Sequence, residues 1–119
     1  MVDAERSQHL ANAQIAFGML RQFLEQAKAA GVGAGVVLFP MTDAMGPHGS
    51  NYPVGFVHDR VRQIAADARV PYLDLLPAFS TYEDPKSLWV SPFDAHPNAA
   101  ANTRAAQEIL RRFASVWRQ

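Results

Sequence analysis

Gly35-Val36-Val37-Leu38-Phe39-Pro40 is a short, unbroken apolar run with β-branched residues at its centre and a breaker at each end. A run of this kind suits a strand covered on both faces, as in a parallel sheet. The residues before it, from about Glu5 to Ala30, repeat Leu10, Ala13, Phe17, Leu20, Leu24 and Ala27 at helical spacing, with Met19 and Phe23 widening the apolar face. Arg6, Gln14, Arg21, Glu25 and Lys28 fall largely on the other sides. Gly31 and Gly33 stop that helix, since glycine takes the left-handed conformation a helix end commonly needs. Helix, turn and buried strand make half of a βαβ unit, so the stretch places the chain in the α/β class.

Downstream the pattern repeats. Met41 to Pro53 is a loop rich in breakers, following the carboxyl end of the strand. In open α/β sheets that edge is where ligands bind. A helix is expected from about Val54 to Ala68, with Val57, Val61, Ile64 and Ala68 on one face. Val70-Pro71-Tyr72-Leu73-Asp74-Leu75-Leu76 reads as a second strand, its proline suited to the start. Phe79 to Pro92 reads as irregular, and a last helix as opening at Pro97, with Ile109, Leu110, Phe113, Val116 and Trp117 as its later core face. The order is α-β-α-β-α. Two strands make a thin sheet, so further strands or a partner are expected to complete it.

The chain of 119 residues is one domain's worth, expected to form a single domain over 1–119. At 49% hydrophobic and 18% charged residues, its composition is globular. Eleven Lys+Arg balance eleven Asp+Glu, so nothing electrostatic favours nucleic acid or an anionic membrane. The absence of cysteine excludes disulfides, thiolate metal sites and a cysteine nucleophile. The longest apolar run, around Val32 to Met41, is too short to span a bilayer, and the first residues carry no apolar signal core.

One segment reads as chemistry: Ser91-Pro92-Phe93-Asp94-Ala95-His96-Pro97-Asn98, an acid and an imidazole two residues apart. With the helix after it, this stretch resembles the closing sequence block of the SGNH (GDSL-type) hydrolases, esterases and lipases of three-layer α/β/α, flavodoxin-like fold. Their closing block carries the catalytic Asp and His, commonly followed by Pro and Asn; Asp94, His96, Pro97 and Asn98 match it. The upstream order of elements resembles the second half of the same fold, a short parallel sheet with flanking helices. Two departures stand out. The commoner spacing puts Asp three residues before His, against two here, and the family's Gly-Asp-Ser nucleophile block is not in this chain. Gly49-Ser50-Asn51 imitates a Gly-x-Asn pattern but follows a different strand and lacks the Asp that goes with it.

The resemblance implies a Ser-His-Asp catalytic triad acting on carboxylic esters, with His96 as general base and Asp94 orienting it. Imidazole is the side chain that accepts a proton near neutrality, and a carboxylate fixes its tautomer. The expected position of His96 beside a helix N-terminus would disfavour its cation. Within the chain Ser50 is the candidate nucleophile, on a loop at the expected edge, against its reading as a turn residue. Ser91 is close to His96 in sequence, but local geometry rarely permits the alignment that attack needs; Ser80 and Ser87 read as loop hydrogen-bonders. Asp94 or Asn98 could instead serve the helix start. A metal set of Asp43, His48, Asp94 and His96 is the chemical alternative. His9 and His58 read as solvated or packing residues, and Asp74 as a turn cap or a group behind the site. Trp89 and Phe93 either line an acyl pocket or anchor the loop.

No metal or organic cofactor is implied. The expected partners are a small-molecule ester, and either a second copy in a homodimer or the N-terminal half of a longer hydrolase. The alternative function is a non-catalytic remnant or accessory binding domain with the same fold.

Overall fold

A computed structural model gives the fold, describing the backbone of residues 2–117 and the side chains of residues 4 and 7–116. The chain divides into two compact units, residues 1–36 with 59–72 and residues 37–58 with 73–119. Helices combine with one short parallel and one antiparallel strand pair, as the α/β class requires.

The first unit is largely helical. Helix α1 (Val2–Ala29) ends as the glycines require. Gly31 sits at φ +70°, the Val32 amide donates to the Ala27 carbonyl at 2.9 Å, and the Gly31 amide donates to Lys28 at 3.1 Å. This pair of bonds satisfies carbonyls that the helix end would leave open. Leu24 is the buried residue of the expected apolar stripe; Leu10, Met19 and Phe23 are exposed. Helix α2 (Gly55–Ala68) contributes Val61, Ile64 and Ala65 to the buried set. It closes with the same two-bond arrangement, Arg69 taking the left-handed position at φ +57°.

Strands β1 (Val36–Leu38) and β2 (Tyr72–Asp74) form a two-stranded sheet. The Val36 amide donates to Pro71 and the Leu75 amide to Leu38, so the bond partners rise together and the pair is parallel. The prolyl residue lies just before β2, where its missing N–H costs nothing. Both strands are half-buried rather than enclosed, because each strand of a two-stranded sheet keeps an open edge.

The second unit corrects two expectations. Residues 79–92 are not wholly irregular: after helix α3 (Leu76–Phe79) and a 3-10 turn at Pro85–Leu88 comes strand β3 (Trp89–Ser91). Pro97 does not open the last helix. It ends strand β4 (Asp94–Pro97), which pairs antiparallel with β3 across a turn at Pro92-Phe93. Helix α4 (Ala99–Trp117) follows, with Asn98 as its cap. Trp89 pairs with Pro97 and Ser91 with Asp94, so Val90 alone faces Ala95 and His96, a β-bulge. The core of this unit joins Met45, Leu75, Phe79, Leu88, Ala101 and Ala105, with the Phe39 ring edge-on to Phe79 at 6.1 Å. Small alanines thus form the buried start of α4. Further along, Phe113 is buried while Leu110 and Val116 are exposed, and the Trp117 side chain lies outside the described residues.

Candidate active site

The hairpin decides what the acid and the imidazole can do. Residues two apart on a strand project to the same side, whereas on a helix they diverge. On β4 this brings Asp94 and His96 together: Asp94 Oδ1 lies 2.5 Å from His96 Nδ1 and 3.0 Å from the His96 amide nitrogen. An ionised carboxylate only accepts, so Nδ1 carries the proton and Nε2 presents its lone pair. The His96 side chain is 85% exposed and Asp94 47%. The Asp94 carboxyl is held below its ordinary value of 3.8, first by the His96 backbone amide and then by the imidazole. His96 therefore sits on a bulged strand, two residues ahead of the helix cap rather than at the helix start.

Three groups hold the hairpin in place. Asn98 accepts from the Ala101 amide at 2.9 Å, capping α4. Its side-chain NH2 donates to the carbonyls of Ser87 at 2.7 Å and Trp89 at 3.0 Å. The Ser91 hydroxyl accepts from the Phe93 amide at 3.2 Å, which shapes the turn. Thr42, buried at 4% exposure, donates from Oγ1 to the Ala95 carbonyl at 2.9 Å. That bond ties the loop after β1 to the residue between the acid and the imidazole.

An open groove of about 410 Å3 runs here, walled by residues 40–43 on one side and 93–97 on the other. Its volume is within the range of small-molecule sites, roughly 300–1,000 Å3. Phe93, at the hairpin tip, is 98% exposed, so it lines the groove and does not anchor the loop to the core. Asp43 lines the groove as well, but His48 does not. Among the described residues no group of three or more His, Asp or Glu side chains converges as a metal site.

Ser50 lies in the loop after β1, in a tight turn. The Gly46 amide donates to the Ser50 carbonyl at 2.9 Å, and a Cβ on Gly46 would meet both the hydroxyl and the carbonyl of Ser50. The Ser50 side chain is exposed, does not line the groove, and shares no hydrogen bond with His96 or Asp94 among the described residues. Ser80 and Ser87 bond to backbone carbonyls, of Leu76 and Asp84.

A second Asp–His pair, its histidine buried, connects through Tyr52 to the 40–43 wall of the groove. His58 Nδ1 lies 2.8 Å from Asp74 Oδ1, and His58 Nε2 lies 2.9 Å from the Tyr52 hydroxyl. Asp74 also accepts from the Leu76 amide at 2.8 Å, and Tyr52 from the Met41 amide at 3.0 Å. Asp74 is thus both turn cap and histidine partner, and His58 is buried rather than solvated. Thr42 and Tyr52 were not singled out in the sequence, and His58, read as solvated or packing, is a packing residue whose two partners were not foreseen. His58 shares a helix face with Val61 and Ala65, at i, i+3 and i+7, and that spacing signals a buried imidazole in need of partners.

Among comparisons with known proteins, the model of the GDSL-like Lipase/Acylhydrolase family matches residues 2–104. No curated protein and no solved structure matches the chain at a significant level.

Proposed function

We propose, given that the chain belongs to the GDSL-like Lipase/Acylhydrolase family, that its site hydrolyses carboxylic esters, with His96 as general base and Asp94 as the carboxylate that orients it. The observation that carries the reading is the Asp94–His96 contact at 2.5 Å on a strand that lines the groove. With Nδ1 committed to Asp94, Nε2 is free to take the proton of a serine hydroxyl as its oxygen attacks the acyl carbon. The imidazolium formed is stabilised by Asp94 and returns the proton to the departing alcohol oxygen. A water then enters along the same path, cleaves the acyl-serine bond, and restores the serine and the neutral imidazole.

Ser50 is the candidate serine within the chain; otherwise the serine comes from outside residues 1–119. The reading takes the chain as one domain of a three-layer α/β/α, flavodoxin-like hydrolase. A non-catalytic binding domain is the competing reading, favoured by the lack of any serine hydroxyl bonded to His96 among the described residues. The test is turnover of a chromogenic short-chain acyl ester by the natural protein and by two variants. Asp94→Asn should lower kcat by about a hundredfold, since general-base catalysis supplies roughly 10²–10⁴ and asparagine holds the wrong tautomer. Loss of turnover in Ser50→Ala assigns the serine to this chain, and full retention places it elsewhere. No turnover by the natural protein on a panel of acyl esters favours the binding domain.

A further inference from the structure

The part-buried Tyr52–His58–Asp74 line ends on the Met41 amide in the wall of the groove, and its hydrogen bonds run in one direction. The Met41 amide can only donate, so the Tyr52 oxygen accepts. The Asp74 carboxylate can only accept, so His58 Nδ1 carries the proton, leaving Nε2 to accept from the Tyr52 hydroxyl. Each group in the line is thereby committed. Asp74 Oδ1 is fixed again by the Leu76 amide, and the Tyr52 ring stands edge-on to His58 at 5.2 Å.

Beyond Met41 the line continues through the backbone. Met41 precedes the 3-10 turn at Thr42–Ala44, and Thr42 Oγ1 reaches the Ala95 carbonyl at 2.9 Å. Ala95 stands between Asp94 and His96 in β4. A continuous series of bonds thus runs from the end of β2 to the Asp94–His96 pair. Polar chains of this kind fix one register, because a slip costs the part-buried members their partners.

We propose that Tyr52 is a positioning residue of the His96 site: clamped by His58 and Asp74, its hydroxyl holds the Met41 amide and so sets the 40–43 wall against Asp94 and His96. Its role in hydrolysis rests on the reading above; its hold on the wall does not. Tyr52 does not line the groove and shares no hydrogen bond with His96; it acts through the Met41 amide. Burial raises its phenol above the ordinary 10.0, which keeps the donating proton in place at neutral pH.

The test is Tyr52→Phe, which keeps the ring and removes the hydroxyl. By nitrogen-15 NMR the Met41 amide should exchange about tenfold faster, the loss expected from one hydrogen bond. Shifts should also spread to the Thr42 and Ala95 amides and to the His96 ring nitrogens. Should that variant not fold, His58→Gln carries the same readouts with the tyrosine present. In the ester assay Tyr52→Phe should lower kcat about tenfold at nearly constant KM. An unchanged Met41 exchange rate overturns the proposal, and so does a faster Met41 with His96 ring shifts unmoved. If no ester is turned over while the shifts reach His96, the hydrolase reading falls and the positioning role stands.

Discussion

Asp94 makes its two bonds to His96 from one oxygen, and both lower its pKa, unequally. The backbone amide of His96 is the larger cause of the lowered pKa and the imidazole the next. The folded value being depressed, the stabilisation is present above the ordinary 3.8 and is lost as pH falls through the lowered value. By carbon-13 NMR the Asp94 carboxyl should titrate below 3.8, and His96→Ala should return it only part of the way, because alanine keeps the amide. A full return would show the imidazole to be the main partner. Phe93 makes a different prediction. At 98% exposure it contributes little to folding, so Phe93→Ala should change stability by less than about 0.5 kcal/mol. As a wall of the groove it should raise KM for longer acyl chains several-fold, and an unchanged KM would remove it from substrate binding. Asp94, His96 and their order were legible as residues. The Tyr52–His58–Asp74 line was not, because its members sit 6 and 16 positions apart on different elements, where no sequence period joins them.

The hairpin is the element that brings Asp94 and His96 together, and it was hidden. Trp89–Ser91 and Asp94–Pro97 are three and four residues long. A period of two cannot be read over so few positions, and the prolines at 92 and 97 argue locally for a turn and a helix start. Pairing of the two short segments across the Pro92-Phe93 turn overrode that signal. Helices α1 and α2 were legible because their apolar spacing repeats over several turns and ends in residues at positive φ. Asn98 joins the two kinds of element, capping α4 with its oxygen and clipping β3 and the turn before it with its NH2. Asn98→Ala should therefore cost about 2 kcal/mol, a cap plus a hydrogen bond to the part-buried Trp89 carbonyl and one to the exposed Ser87 carbonyl. Asn98→Asp keeps the cap but turns a carboxylate on two carbonyl oxygens, so it should be no more stable than alanine in chemical denaturation. Native stability in Asn98→Asp would show that capping is its whole contribution.

For the molecule as a whole, the exposed apolar surface points to association. Ile15, Met19 and Phe23 follow one another at four-residue steps along α1, each more than 60% exposed. The chain alone should self-associate, and Met19→Glu should reduce its mass in light scattering; a monomer in both cases would contradict this. No described helix is long and apolar enough to cross a membrane, so that stripe is not part of a span. The α/β class was legible because it rests on runs and periods, and the two-stranded sheets bear it out while remaining open at their edges. Reading the order of elements could not show which loops meet, and the groove is made by two that do, residues 40–43 and 93–97. Whether that groove is catalytic is decided most directly by kcat for a chromogenic acyl ester, measured on the natural protein and on His96→Ala at neutral pH. A general base there predicts a fall of at least about a hundredfold with the fold intact; a rate within about twofold of the natural protein would contradict it.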